Sequence, residues 1–331
     1  LKFTDAKIAL VGATGLVGRH ILQVMEEREL NPANFALFAS EKSAGGKVEF
    51  MGKSYTLAPL SKDAVDGFDI AFFAAGAKVS LEWAPVFVEG GAKVVDKSSA
   101  WRVDPDCPLV VPQVNPNALD NIPKGIIASP NCTTIGFVLA LKPLIDAFGE
   151  PEHIFAATYQ AVSGAGKDGT DALCQQRLGK KYAGPFNKPI FDNILPSIGS
   201  LGPCGFYQEE SKLIIESRKI LGISTLDISA TAVRVPVNNG HSLVVTILFH
   251  DKVDLNKAAE SLASAPVIRF IDDNDYPTPL EASGQDDVLI GRVRTTPGNS
   301  RALSLFITFD NVRRGAATNA IEIAEIILGK S

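Results

Sequence analysis

Lys7-Ile8-Ala9-Leu10-Val11-Gly12-Ala13-Thr14-Gly15-Leu16-Val17-Gly18-Arg19-His20-Ile21-Leu22-Gln23-Val24-Met25 opens with five residues of strand character. It then turns on three glycines spaced by three, and continues as a helix whose apolar side carries Val17, Ile21 and Met25. Gly12 permits a tight turn, Gly15 lets backbone approach a pyrophosphate, and Gly18 allows the helix to pack closely on the strand. The helix start offers unpaired N–H groups at the positive end of its dipole. Strand, glycine turn and helix in that order predict the dinucleotide-binding start of a parallel sheet, with a plain βα turn that binds nothing as the other reading.

Working outward, short apolar strands at Phe35–Ser40, Asp69–Phe73 and Val94–Asp96 alternate with helices at Leu16–Arg28 and Val79–Glu89, which reads as βαβ units. Val48–Leu57 reads as a small inserted hairpin interrupted at Met51-Gly52-Lys53-Ser54. Beyond Ser129-Pro130 come a helix near Ile135–Phe148 and long strands at Ile154–Ser163, Leu226–Val237, Ser242–His250, Asp287–Arg294 and Ala302–Asp310. These predict an α+β second domain with a mixed or antiparallel sheet. The Pro- and Gly-rich stretch Gly179–Gly205 carries little periodicity and is expected to wrap, or to reach toward another subunit. In the amphipathic run Ala316–Leu328, Ala320, Ile323, Ala324 and Ile327 share one face. This run is expected to return to the first domain. The fold class is therefore α/β, a Rossmann-type NADP-binding domain over 1–128 plus 316–331, with a catalytic and oligomerisation domain over 129–315.

Composition narrows the function. A net charge of −5 over 331 residues, with 46% hydrophobic residues, gives none of the basic footprint that phosphate-gripping nucleic-acid binders need. It also excludes wholesale disorder. Apolar runs such as Ile70–Ala77 are strand-length, far below a membrane span, and the start carries no cationic, apolar leader. Four cysteines without CxxC spacing argue against a disulfide scaffold and against zinc, and point to a reducing, cytoplasmic setting.

At the end of the second strand, an NAD-specific site would place an acid for the ribose 2′-hydroxyl. Here Ser40, Lys42 and Ser43 suit a 2′-phosphate and predict NADP, with Glu41 as the feature that would admit NAD. Ser129-Pro130-Asn131-Cys132-Thr133-Thr134 precedes a helical run, so Cys132 is expected at a helix N-terminus, where the thiolate is favoured. A buried core cysteine is the alternative, and it is the reading for Cys107, Cys174 and Cys204. Of the four histidines, His241 follows Asn238-Asn239-Gly240 between two strands, in a turn able to present a side chain to a cleft. A cysteine nucleophile needs such a partner.

Together the motifs resemble the aspartate-semialdehyde dehydrogenase family, and the resemblance spans the chain. They are Gly12-Ala13-Thr14-Gly15, Ser98-Ser99-Ala100-Trp101-Arg102, Asn131-Cys132-Thr133-Thr134, Thr158 to Gly166, Glu209 to Lys212, Arg234-Val235-Pro236-Val237 with Gly240-His241-Ser242, and Arg314 to Ala320. The resemblance implies reversible, NADP-dependent conversion of L-aspartyl-4-phosphate to aspartate 4-semialdehyde and inorganic phosphate, on the route to lysine, threonine and methionine. It makes Cys132 the acyl-enzyme nucleophile, His241 the acid/base that gives its proton as imidazolium, and Gln160 the group orienting substrate. Arg234 would hold the α-carboxylate, Glu209 the ammonium, and Arg102 with Lys212 the phosphate, with Asn131 as a further substrate contact. Cofactor contacts are expected at Gly12, Thr14, Gly15, Leu16, Val17, Ser40, Lys42, Ser43, Ser163, Gly164 and Asn319.

The residues supply what the chemistry needs. A planar bidentate cation, an anion and a second cationic pocket match a substrate bearing carboxylate, ammonium and acyl phosphate. Glu209 and Lys212 at i, i+3 share a face if helical. Lys97 before the Ser-Ser pair and Gly136 after Cys132 depart from the family's usual residues, and Lys97 is left between the phosphate pocket and the cofactor. Two alternatives stand beside this reading: N-acetyl-γ-glutamyl-phosphate reductase, whose substrate lacks the ammonium that Glu209 would meet, and a catalytically silent paralogue serving as a binding subunit. A homodimer or homotetramer is expected, with no metal, nucleic acid or membrane partner.

Overall fold

Residues 2–272 and 274–329 are described by a computed structural model. Among them, the residues up to Pro130 together with those from Ala316 onward form one compact unit, and Asn131–Gly315 form the other.

In the first unit, β1 (Lys7–Val11), β2 (Asn34–Phe38), β5 (Ile70–Phe73), β6 (Lys93–Asp96) and β7 (Ile126–Ala128) make an all-parallel sheet in the order β2-β1-β5-β6-β7. Strand residues alternate between two apolar layers, as a sheet covered on both faces requires. Ile8, Leu10, Ile70, Phe72 and Val95 pack with helix α1 (Leu16–Glu27) and the C-terminal helix Asn319–Gly329. Ala9, Val11, Ala71, Phe73 and Val94 pack with α2 (Ala77–Glu89). The C-terminal residues thus complete this unit's core, and the apolar face formed by Ala320, Ile323 and Ala324 is buried in it. Its approach is not plain α-helix, however: Arg313–Thr318 is a π-turn, all of it buried.

The inserted hairpin pairs β3 (Lys47–Phe50) with β4 (Lys53–Thr56). Only Met51 and Gly52 form its turn, both at positive φ (51° and 71°), as a tight two-residue hairpin demands. Lys53 and Ser54, expected in the interruption, are paired strand residues.

The second unit is built on a mixed sheet ordered β11-β12-β13-β10-β8-β9. Its strands are β8 (Pro151–Gln160), β9 (Ile228–Arg234), β10 (His241–Phe249), β11 (Ile268–Phe270), β12 (Val288–Thr296) and β13 (Asn299–Phe309). β8 with β9 and β11 with β12 are parallel, and the rest antiparallel. Helix α3 (Cys132–Phe148) is buried along Thr133–Leu141, the pattern of a helix enclosed on all sides. It lies close enough to β13 that a Cβ on Gly136 would sit 2.1 Å from the Phe309 ring. That explains glycine at a position where relatives carry a larger group. Helices α4 (Gly166–Arg177), α5 (Gln208–Leu221) and α6 (Leu255–Ala263) complete the unit. Residues 179–205 are largely irregular and, with Tyr207 and Arg234, line a cavity of about 720 Å³. No helix among the described residues is long and apolar enough to cross a membrane.

Candidate active site

The second unit gathers Cys132, Gln160, Glu209, Lys212, Arg234 and His241, which the sequence scatters over more than a hundred residues. Cys132 is the first residue of α3, with Asn131 as the N-cap. The Asn131 Oδ1 accepts the N–H of Thr133 (2.9 Å) and of Thr134 (3.4 Å), so the helix start is fixed and its dipole favours a thiolate. Its Nδ2 donates to Glu209 Oε1 at 2.6 Å, and its backbone N–H donates to Glu216 Oε2 at 2.7 Å. Asn131 was read as a substrate contact, and the structure corrects this. Both ends of its amide are committed, so it positions the nucleophile and Glu209.

Gln160 ends β8. Its Nε2 donates to Thr133 Oγ1 (2.6 Å) and Glu209 Oε1 (3.2 Å), tying the nucleophile's helix to the carboxylate. Glu209 and Lys212 lie on α5 as the spacing suggested, 3.1 Å apart. Burial pushes the Glu209 carboxyl up, but the Lys212 charge and the donors of Asn131, Lys212 and Gln160 outweigh it, and its pKa lies below the ordinary 4.5. Glu209 is therefore an anion in a pocket.

Arg234 ends β9 and is 5% exposed. Its Nη1 donates to the Ala161 carbonyl at 2.6 Å. Burial lowers its pKa, against the opposing charges of Glu209 and Cys132. Next to it stands His241, the first residue of β10 and fully buried. The same residue, Ala161, donates its N–H to His241 Nδ1 at 3.1 Å, and no group of the protein meets His241 Nε2. Burial first, then the Arg234 charge, lower the imidazole pKa to about 3, with Glu209 opposing. The imidazolium expected from the sequence is thus not the form this site holds; the ring is neutral.

Behind His241, Gly240 (φ 89°) turns the chain where a Cβ would come 2.7 Å from Pro279. Asn311 Oδ1 accepts the Gly240 N–H at 3.0 Å. Ser163, expected at the cofactor, has its hydroxyl among Asn239 and Asn311 (3.1 and 3.2 Å) and holds this turn instead. Gly164 is exposed, yet a Cβ there would lie 2.8 Å from Arg234 Nη1 and 3.1 Å from His241 Nε2. On the other side of the nucleophile, a Cβ on Gly315 in the π-turn would come within 3.0 Å of the Cys132 Cβ.

In the first unit, Asp96 accepts from Ser80 Oγ (2.8 Å) and Ser98 Oγ (2.7 Å), and Trp101 Nε1 reaches Ser80 Oγ at 2.9 Å. This network shapes the loop that carries Arg102, whose Nη2 donates to the Lys97 carbonyl at 2.9 Å. The Lys97 ammonium is bonded to the Pro130 carbonyl, which gives this residue a place in the backbone's support. Arg102 and Lys212 belong to different units.

The glycine turn fits a dinucleotide. Gly12 (φ 89°) lies where a Cβ would meet Ala74 backbone at 2.9 Å, and a Cβ on Gly18 would be 2.2 Å from Gly12 O. Gly15 caps α1 with no side chain over its first N–H groups, among which are those of Leu16 and Val17, so the positive helix end is open to phosphate. Thr14 is half-buried beside it. Ser40, Glu41, Lys42 and Ser43 form the turn after β2, with Glu41 and Lys42 both exposed. Asn319 is fully buried, its Nδ2 spent on Val110 O and Ser129 Oγ. Its Oδ1 meets no protein donor, an acceptor of the kind a cofactor carboxamide satisfies.

Sequence reading missed Thr133, Ala161, Glu216, Asn311 and Gly315. One signal was available: Glu209, Lys212 and Glu216 fall at i, i+3, i+7, one face of a helix. The roles of Ala161 and Gly315 come from backbone and from absent side chains, which leave no chemical signature.

Residues 7–122 match the NAD binding domain of semialdehyde dehydrogenases, and residues 141–314 match their dimerisation domain. Aspartate-semialdehyde dehydrogenase of Aquifex aeolicus is 44% identical over 97% of this chain and 98% of its own length; that of Corynebacterium glutamicum is 41% identical over 97% and 99%. The crystal structure of aspartate semialdehyde dehydrogenase II from Vibrio cholerae superposes with a TM-score of 0.93 at 39% identity, covering 98% of this chain and 99% of that one. The same enzyme complexed with ASA gives 0.93 at 38%, covering 98% of both. The enzyme with NADP from Candida albicans gives 0.78 at 26%, covering 98% and 99%.

Proposed function

The chain belongs to the aspartate-semialdehyde dehydrogenase family, and we propose that it interconverts L-aspartyl-4-phosphate and aspartate 4-semialdehyde with NADP, through a thioester on Cys132. The single observation that carries the site reading is the placement of Cys132 at the capped start of α3, in one unit with a buried cation (Arg234), a buried anion (Glu209) and an imidazole whose Nε2 has no protein partner. NADP supplies or accepts the hydride when bound. The Cys132 thiolate attacks the acyl carbon, and the helix start offers N–H groups to the oxygen that becomes charged. Arg234 takes the α-carboxylate bidentately. Glu209, held ionised by its three partners, takes the ammonium, and that requirement separates this substrate from an N-acylated one. Gln160 and Asn131 keep Glu209 and the nucleophile's helix in register. Phosphate is assigned, from motif position, to Arg102 and Lys212. His241 attends the carbonyl oxygen.

The first unit is assigned to cofactor binding through Gly12, Thr14, Gly15, Leu16, Val17, Ser40, Lys42, Ser43 and Asn319, with Gly164 of the second unit as the open backbone beside the catalytic pair. The second is assigned to catalysis and oligomerisation. Phe155, Tyr159 and Val244 stand exposed on one face of its sheet, and that apolar face supports a homodimer, from which a tetramer can be built. A cytoplasmic location suits a reaction that needs a free thiol. The test is phosphate-dependent reduction of NADP with aspartate semialdehyde. Activity that requires phosphate, prefers NADP over NAD and is absent with the N-acetylglutamate semialdehyde supports the assignment; the opposite substrate preference refutes it.

A further inference from the structure

The reaction just proposed puts negative charge on the substrate's carbonyl oxygen in each tetrahedral adduct, and the inference here rests on that reading. Because Nδ1 of His241 accepts the Ala161 N–H at 3.1 Å, the neutral ring carries its proton on Nε2. That Nε2 is buried and unmatched by any protein group. Beside it the missing side chain of Gly164 leaves open space, with Arg234 Nη1 on the same border. The guanidinium is itself fastened to the Ala161 carbonyl, so the peptide groups of one residue grip both side chains, one by its N–H and one by its C=O. A second ring proton would set Nδ1–H against the Ala161 N–H, donor facing donor, within reach of the Arg234 charge. Glu209, the one carboxylate that acts on the ring in the opposite sense, is already committed to Asn131, Gln160 and Lys212.

We propose that His241 works as a neutral Nε2–H hydrogen-bond donor to the reacting carbonyl oxygen, its tautomer set by the Ala161 N–H, and that it passes no proton to or from the substrate.

The chemistry balances without such a transfer. The Cys132 thiolate forms a C–S bond to the acyl phosphate carbon while the carbonyl π pair moves to oxygen. That pair then returns as the C–O bond to phosphate breaks with its electrons, and the leaving phosphate takes its proton from solvent. In the adduct that precedes aldehyde release, the oxygen pair re-forms C=O as the C–S bond breaks and restores the thiolate. At neither adduct does the oxygen need to be protonated; it needs a donor placed to bear its charge. The low basicity of the buried ring points the same way.

The test is NMR on enzyme labelled with [15N]histidine, titrated from about pH 5 to 9 around the ordinary histidine range, with the His241 signals identified by their loss in His241→Gln. The expected result is one pyridine-type Nδ1 and one pyrrole-type Nε2 throughout. A doubly protonated ring, or the Nδ1–H tautomer, would overturn the proposal. Kinetics give a second readout, because glutamine carries a neutral N–H donor. His241→Gln should keep the shape of the wild-type kcat–pH profile at a height reduced on the order of tenfold, against about 10²–10³ for His241→Ala. A limb present in wild type and missing from His241→Gln, or a His241→Gln as inactive as His241→Ala, counts against it. Absence of phosphate-dependent NADP reduction in wild type would instead sink the assigned reaction, while the NMR titration still decides the tautomer.

Discussion

Replacing Gly164 by alanine adds one methyl group to an exposed loop and tests whether the Arg234–His241 clamp matters. The backbone at 164 is not in the left-handed region, so alanine fits the chain locally. The new Cβ, however, would lie 2.8 Å from Arg234 Nη1 and 3.1 Å from Nε2 and Cε1 of His241. Against ordinary contact near 3.4 Å, the guanidinium has to give by about 0.6 Å and the ring by about 0.3 Å. Arg234 cannot yield freely, since its Nη1 is fixed to Ala161 O at 2.6 Å. Loosening that charge-assisted bond costs on the order of 1.5–3 kcal/mol, or about one to two decades in kcat/KM at ~1.4 kcal/mol per decade. The assay is kcat/KM for aspartate semialdehyde at saturating NADP and phosphate, with Tm measured in parallel. The expected outcome is a loss of roughly 10- to 100-fold in kcat/KM, with Tm held within a few degrees. A variant within about threefold of wild type would show that the two side chains are not held in a demanding geometry, and the reasoning would fail.

Three further outcomes follow from the same structure. Gly136→Ala should lower unfolding stability by about 1–3 kcal/mol in urea, despite alanine's better helix propensity, because the Phe309 ring that its Cβ would strike is fully buried. His241 is neutral when folded and takes a proton at pH 6.5 when unfolded. Its folded value is the lower one, so below pH 6.5 the unfolded chain binds more protons and stability declines as pH falls toward 3; at pH 5 the loss relative to pH 8 is about 2 kcal/mol. His241→Gln should flatten that part of the stability curve. Glu209 has the opposite chemistry: a carboxylate with a depressed folded pKa contributes stability above pH 4.5 that is lost as pH falls through the folded value. Acid titration of Glu209→Gln against wild type should therefore show the two curves converging only below pH 4.5.

Much of this was legible in the chain. The strand–glycine turn–helix start fixed the parallel unit because glycine positions and buried apolar runs are local signals, and the long alternating strands announced the second sheet for the same reason. Helix α4 escaped because Gly166-Lys167-Asp168-Gly169 opens it with poor helix formers, so its stability comes from packing rather than propensity. The π-turn at Arg313–Thr318 was read as ordinary helix, since one extra residue per turn leaves the apolar pattern nearly unchanged. At the site, residue types identified Cys132, Glu209, Arg234 and His241, but not their states. Asn131 could be taken for a substrate contact until its amide was seen capping α3 and supporting Glu209. The protonation of His241 depends on a backbone N–H eighty residues away in sequence, which no local pattern records.

The claim that chemistry runs through a thioester on Cys132 has a direct test. Enzyme mixed with NADP and aspartate semialdehyde in the absence of phosphate should release NADPH in a burst equal to the active sites and then stall, and mass spectrometry should find the aspartyl group on the peptide carrying Cys132. Cys132→Ala should still bind NADP and show neither burst nor adduct. A burst that leaves Cys132 unmodified, or turnover by Cys132→Ala, would contradict the account.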